Sequence, residues 1–271
     1  MIAGLCHFAE HAALAGICRS IYYAVNENLY EEGAKDVNAN PDEEKNPAVY
    51  CIWQNNLPAI EKFIEYGMTV EAFVARCSDM HDIRISWMTY AMISNPIYYD
   101  FPDHSQSGTD MMQLLFRHGA KASSSLPVDG LNIDFEYDYE EKEWENMGRQ
   151  PLHYAADHGH ILKHSDQSSE HIMRARILLL MKQGASINCA DGHSYTPLHC
   201  VASTDNLVVL KILLELGANA NDTMDILGTP LDNARFRGAS LTAQAMIIEA
   251  GGIAYGTPLS NTIALPANPQ W

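Results

Sequence analysis

The chain repeats itself. Residues 196–221 read TPLHCVASTDNLVVLKILLELGANAN, and the same order of residue types returns on either side. QPLHYAADHGH at 150–160 is completed by ARILLLMKQGASIN at 175–188, and GTPLDNARFRG at 228–238 by TAQAMIIEAGGIA at 242–254. From Thr196 to Thr229 is 33 residues. A unit of that length cannot bury its own apolar face, so it must stack on copies of itself in one continuous core. That requirement excludes most architectures open to a 271-residue chain, including a division into two independent globular halves.

The residue types have local reasons. Thr196 caps a first helix, and Pro197 fits its first turn, where the missing N–H would be unpaired in any case. Small residues after the His let the next unit approach closely. LVVLKILLEL, 207–216, supplies the buried face of a second helix, and Gly217, like Gly184 before it, supplies the left-handed residue that stops it.

This unit is similar, nearly position for position, to the ankyrin repeat, TPLHxAAxxGHxxVVxxLLxxGAxxN. The resemblance predicts an all-α fold: an ankyrin-repeat solenoid of stacked helix-turn-helix units with β-hairpin-type tips. With the template, the N-terminal half becomes readable. NPAVYCIWQNNLPAIEKFIEYGMTV, 46–70, aligns without a gap, with Asn46-Pro47 for Thr-Pro and Gly67 as the stop. GLCHFAEHA at 4–12 is a degraded first helix whose unit NLYEEGAKDVNAN, 28–40, ends. SWMTYAMIS at 86–94 pairs with DMMQLLFRHGAKA at 110–122. The expected domain therefore spans 1–255, with units near 4–40, 46–78, 86–122, 150–188, 196–221 and 229–254, and 256–271 as a tail.

Three insertions depart from the pattern. Residues 93–109 and 161–174 lengthen the link between the two helices of neighbouring units. The third, 123–149, lies between units and contains IDFEYDYE, 133–140. Its strict alternation of apolar and acidic residues is a strand signal, one face aromatic and one acidic. That strand either folds its aromatic face onto the stack or presents Tyr137, Tyr139 and the nearby Trp144 to a partner.

The chain carries 17 Lys and Arg against 34 Asp and Glu, a net charge of −17. A field of that sign opposes phosphate backbones and anionic membranes, so neither nucleic acid nor a membrane is an expected partner. A protein with a basic surface is. The longest apolar runs, such as ILLLM at 177–181, are too short to span a bilayer. No cationic stretch precedes the apolar first 18 residues, and Glu10 interrupts them, so a signal peptide is not expected. Cys6, Cys18, Cys51, Cys77, Cys189 and Cys200 show no metal-type spacing, and reduced thiols in a cytoplasmic compartment are their simplest reading.

Two chemistries were weighed against this. His153, His158, His160, His164 and His171 crowd one stretch, but His153 and His160 belong to the repeat's own PLH and GH elements. No metal or other cofactor is expected. Cys200 beside His199 suggests a nucleophile and its base, yet adjacent helical residues point about 100° apart. No phosphate loop or hydrolase motif occurs, and an enzyme is not expected.

What the resemblance implies is a protein–protein interaction module that binds through a concave surface of tips and first helices. Carried onto this chain, the tip positions are His193, Tyr195, Asp225 and Ile226. The first-helix positions are Trp53, Gln54, Asp157, His158, Ser203, Thr204, Phe236 and Arg237. Trp53, Tyr195, Phe236 and Arg237 are of the types that most often dominate binding energy. Two other readings stand beside it: a scaffold within a larger enzyme or effector, and a stack that assembles on itself. The insertion-laden repeats also resemble those of ankyrin effectors that intracellular bacteria deliver into host cytoplasm.

Overall fold

The computed structural model describes residues 27–39, 46–53, 55–71, 73–78, 81–93, 109–125, 148–157, 167–223 and 228–255. These residues are mostly helical. In chain order come α1 (Glu27–Ala39), α2 (Pro47–Trp53), α3 (Leu57–Glu65), β1 (Phe73–Ser78), β2 (His81–Ser86), α4 (Trp87–Ile93) and α5 (Asp110–Arg117). Then follow α6 (Pro151–Asp157), α7 (Gln167–Lys182), α8 (Pro197–Thr204), α9 (Leu207–Glu215), α10 (Pro230–Arg237) and α11 (Leu241–Glu249). Contacts run along two rows. First helices pack in the order α2, α4, α6, α8, α10; second helices pack α1 on α3 on α5, and α7 on α9 on α11. No helix among the described residues is long and apolar enough to cross a membrane.

The caps repeat a single chemistry with different side chains. The Thr196 hydroxyl accepts from His199 N, and the His199 ring accepts from Thr196 N at 3.2 Å. At α10 the pair is Thr229 with Asp232. At α4 Ser86 Oγ accepts from Thr89 N at 3.1 Å, and at α2 Asn46 Oδ1 accepts from Ala48 N at 3.1 Å. The second helices α3, α9 and α11 are capped by Asn56, Asn206 and Ser240. Each of these side chains satisfies a backbone donor that the helix start leaves open.

Helix ends are equally regular. Gly217 and Gly184 take φ of 89° and 96°, where a side chain would be strained. The next N–H then turns back onto the helix: Ala218 N to Leu213 O at 2.9 Å and Ala185 N to Leu180 O at 3.0 Å. Met68 to Phe63, Ala120 to Leu115 and Gly252 to Ile247 repeat the bond. An asparagine ties three of these loops to the next, and Glu71, accepting from Lys121 N at 2.8 Å, ties a fourth. Asn221 accepts from Ile253 N at 2.9 Å and donates to Gly251 O at 3.0 Å. Asn38 does the same with Thr69 N and Gly67 O, both at 2.8 Å, and Asn188 accepts from Asn219 N at 2.9 Å.

Between these frames lies one apolar core. Ile60 and Phe63 of α3, Trp87 and Met92 of α4, Met112 and Leu115 of α5, and Leu210 and Leu213 of α9 are all buried. Ala155, Ala156, Val201 and Ala202 are small and buried, which lets α6, α8 and α10 stack closely. Cys51, Cys189 and Cys200 are buried free thiols, packed as small apolar residues.

Three features depart from the sequence reading. The insertion 161–174 is not a loop throughout, because α7 already starts at Gln167 and runs 16 residues against nine in α9. Buried Met173 shows why: the added turns carry an apolar residue into the core. Gly33, within the stretch read as the end of the first unit, lies inside a helix. α1 runs through it to Ala39, and a Cβ on Gly33 would lie 2.6 Å from Phe63 Cε1, so the glycine makes room for that ring. Finally, two six-residue strands pair antiparallel, Phe73 opposite Ser86 through Ser78 opposite His81, at a tip between units whose strand residues the sequence reading had not named. The expected strand at 133–140 lies outside the described residues.

A buried arginine joins the two halves. Arg176 stands in α7 where α9 has the core residue Val209, and its Nη1 donates to Met92 O at 2.7 Å, at the end of α4. Burial lowers its pKa to about 10, which still leaves it cationic at neutral pH. A cation there complements the partial negative charge of a helix C-terminus.

Candidate protein-binding surface

The tip between α7 and α8 is a closed loop. Asp191 Oδ1 accepts from His193 N and Tyr195 N, each at 2.9 Å, while Asp191 N donates to Tyr195 O at 2.9 Å. Ser194 completes the turn in the left-handed region, φ 64°. The other carboxylate oxygen, Oδ2, takes Arg149 Nε at 3.4 Å, and Arg149 also reaches Cys200 Sγ at 3.8 Å. Asp191 is buried and Arg149 about one-fifth exposed, so the pair is anchored on one side and open on the other.

Histidines carry the tips onto the helices. His199 Nδ1 accepts at the Thr196 cap, while Nε2 meets Gly228 O of the next unit at 3.3 Å. His153 does the same with Gln150 N and Tyr195 O, at 3.1 and 2.9 Å. Burial holds His199 below the ordinary histidine range, so the neutral ring is the form that fits. Asp232 takes this role in α10, accepting from Thr229 N and from Tyr255 N, each at 3.1 Å.

On this frame three of the expected residues meet. Tyr195 is half-buried, its ring edge-on to His199 at 6.1 Å. Its hydroxyl is pushed up by burial and drawn down by the positive charge of nearby Arg237. Arg237 in turn lies 5.8 Å from the centroid of the Phe236 ring, and Phe236 and Arg237 are both exposed. His193 is half-buried beside them on the tip.

The other expected residues stand differently. Ser203 Oγ donates to Cys200 O at 2.8 Å, and Thr204 Oγ1 reaches Val201 O at 3.2 Å and Ala156 O at 3.4 Å. These hydroxyls are already engaged within and between first helices. Trp53 and Asp157 are the last residues of α2 and α6. Gln54, Tyr137, Tyr139, Trp144, His158, Asp225 and Ile226 lie outside the described residues.

Arg149 and Arg235 were not singled out from the sequence. Register could have found both. Arg149 precedes Gln150 of α6 as Tyr195 precedes Thr196 of α8, which makes it a tip residue. Arg235 stands in α10 where α8 has the buried Ala202, and it is exposed.

Both His199 ring nitrogens are taken, by Thr196 and Gly228, and Cys200 lies against Arg149. Cys189 Sγ is 3.9 Å from His153 Nδ1, but burial pushes that thiol up to about 12, so no thiolate forms at neutral pH. His171 is exposed on α7, and His158, His160 and His164 lie outside the described residues.

Paired short helices, Thr-capped, glycine-stopped and joined by self-closed tips, define a helix-turn-helix repeat protein. Residues 180–234 match the family model of ankyrin repeats in many copies. The chain is also 29% identical over 130 residues to Alpha-latrotoxin-Lt1a of Latrodectus tredecimguttatus, a match covering 48% of this chain and 8% of the toxin. Together these support an ankyrin-repeat family, whose members generally mediate protein–protein interaction.

Proposed function

We propose that this chain is a non-catalytic ankyrin-repeat solenoid that binds a protein partner along the side formed by its tips and first helices. The carrying observation is the Tyr195–Arg237–Phe236 group, where residues from two successive units meet at the surface on a rigid, self-bonded tip. Aromatic and arginine side chains held in place lose little freedom on binding, which is what interface anchors require. His193, Ser203 and Thr204 adjoin them; Trp53, Gln54, Asp157, His158, Asp225 and Ile226 complete the surface by register, and Tyr137, Tyr139 and Trp144 extend it on the insertion. The net charge of −17 favours, at long range, a partner with a basic surface. A second reading, a scaffold segment of a larger protein such as a translocated effector, draws on the toxin match, which occupies only 8% of that relative.

The test is capture of the partner by the intact chain against the Tyr195→Ala, Phe236→Ala variant. Binding should weaken by about 2 kcal/mol or more, with the melting temperature of Phe236→Ala alone nearly unchanged. Unaltered affinity in the double variant would sink this surface as the binding site.

A further inference from the structure

Among the described residues, three arginines are matched to carboxylates, and Arg176 is buried on a backbone carbonyl. Arg117 reaches Glu61 at 3.5 Å, Arg149 reaches Asp191, and Arg174 lies between Glu170 and Glu215. Arg235 and Arg237 are exposed at the end of α10, and among the described residues neither pairs with a carboxylate. They flank exposed Phe236. Among the described residues, the acidic groups of α10 and of the neighbouring loops are engaged elsewhere. Asp232 is buried on Thr229 and Tyr255, Asp191 on its own loop and Arg149, and Asp205 accepts from Ser240 N at 2.8 Å.

Resting on the interaction reading above, we infer that the end of α10, together with Tyr195, receives an acidic segment of the partner. Its carboxylates lie against Arg235 and Arg237, and an apolar side chain lies against Phe236. Guanidinium groups present a fork of donors that matches a carboxylate, and an arginine held beside an aromatic ring is partly oriented before the partner arrives. The long-range field and the local site differ in sign without conflict. At physiological salt, exposed charges more than about 8 Å away are largely screened, so the groups in contact decide what docks. The same net charge of −17 disfavours a long polyanion such as nucleic acid, which would extend past the arginines into the negative field.

A display library of peptides selected on the full chain, followed by titration of labelled hits, tests this. Selection should enrich Asp- and Glu-rich peptides containing an aromatic or aliphatic residue. Arg235→Glu with Arg237→Glu should weaken them about ten-fold or more, at an unchanged melting temperature, and should favour their Lys-substituted counterparts. Three results would overturn the inference: neutral or basic winners, acidic winners that bind the charge-reversed chain equally well, or a single-stranded oligonucleotide that competes at equal charge. Winners of another charge that are lost on Tyr195→Ala, Phe236→Ala overturn this inference and leave the interaction reading standing. Absence of any peptide sensitive to either pair of changes overturns both.

Discussion

The units at 27–125 and at 148–255 reach the same local geometry with different residues. In the C-terminal region the first helix is set by Thr196-Pro197-Leu198-His199, the His bonding its own cap and the next unit. In the N-terminal region α4 starts at Ser86-Trp87-Met88-Thr89 instead. Ser86 replaces the cap, Thr89 the His, and Trp87 the Pro, with the indole Nε1 donating to Thr69 O at 3.2 Å. The repeat is conserved as a set of satisfied backbone groups and filled volumes, and several side-chain sets meet it. The N-terminal set is bulkier. Trp87, Tyr90 and Phe63 are fully buried there, whereas the C-terminal core is built mainly from Leu, Ile, Val and Ala.

That contrast can be broken hardest in the core. Trp87→Ala removes the largest side chain buried among the described residues and the bond to Thr69, and should cost about 3–5 kcal/mol. Leu213→Ala should cost about 2–4 kcal/mol, the smaller side chain leaving the smaller void. Chemical denaturation of both variants checks the order, and a larger loss at Leu213 would mean that the aromatic core is already loosely held.

The caps come next. Thr196→Ala and Ser86→Ala should each cost about 1 kcal/mol if the two sets are equivalent in kind. Hydrogen exchange resolved by helix would sharpen this, with each loss confined to α8 or to α4 and its immediate neighbours. A Ser86 variant indistinguishable from the parent would show that the Trp87 packing, and not the cap, starts α4.

The smallest effect expected is a pH dependence of one region only. Burial depresses the folded-state pKa of His199, so the unfolded chain binds more protons than the folded one just below its unfolded value, about 6.5. The stability contributed is complete above that pH and declines as pH falls through the window down to the depressed folded value. Thr89, which takes the same place in α4, does not titrate there. Exchange protection of α8 should therefore fall between neutral pH and pH about 5.5 faster than that of α4, after correction for intrinsic rates. Parallel behaviour of the two helices would contradict the role assigned to the neutral His199 ring.

Much of the local structure was legible. The caps at Asn46, Thr196 and Thr229 and the stops at Gly67, Gly184 and Gly217 follow from residues within one turn of the feature they control. Gly33 could not be read in this way: its role is set by Phe63, 30 residues away, and not by its own turn. The start of α7 at Gln167 was hidden because its added turns carry few apolar residues, and only Met173 among them reaches the core. The hairpin 73–86 has alternating stretches, but they are short, and the repeat pattern claimed their flanks.

The candidate surface divides in the same way. Tyr195, Phe236 and Arg237 could be named from their places in the unit, but not their meeting, since Tyr195 and Arg237 are 42 residues apart. Ser203 and Thr204 have equivalent register, yet their hydroxyls bond backward to helix carbonyls. The sequence by itself determined the period, the caps, the stops and the apolar face, because each depends on neighbours along the chain. Only tertiary structure decided that Arg149 pairs with Asp191, that Arg176 is buried against Met92 O, and that Arg235 and Arg237 meet no carboxylate among the described residues. Those outcomes depend on how successive units align, and a shift of a few ångströms between stacked helices makes or breaks a charge contact while leaving every local pattern intact.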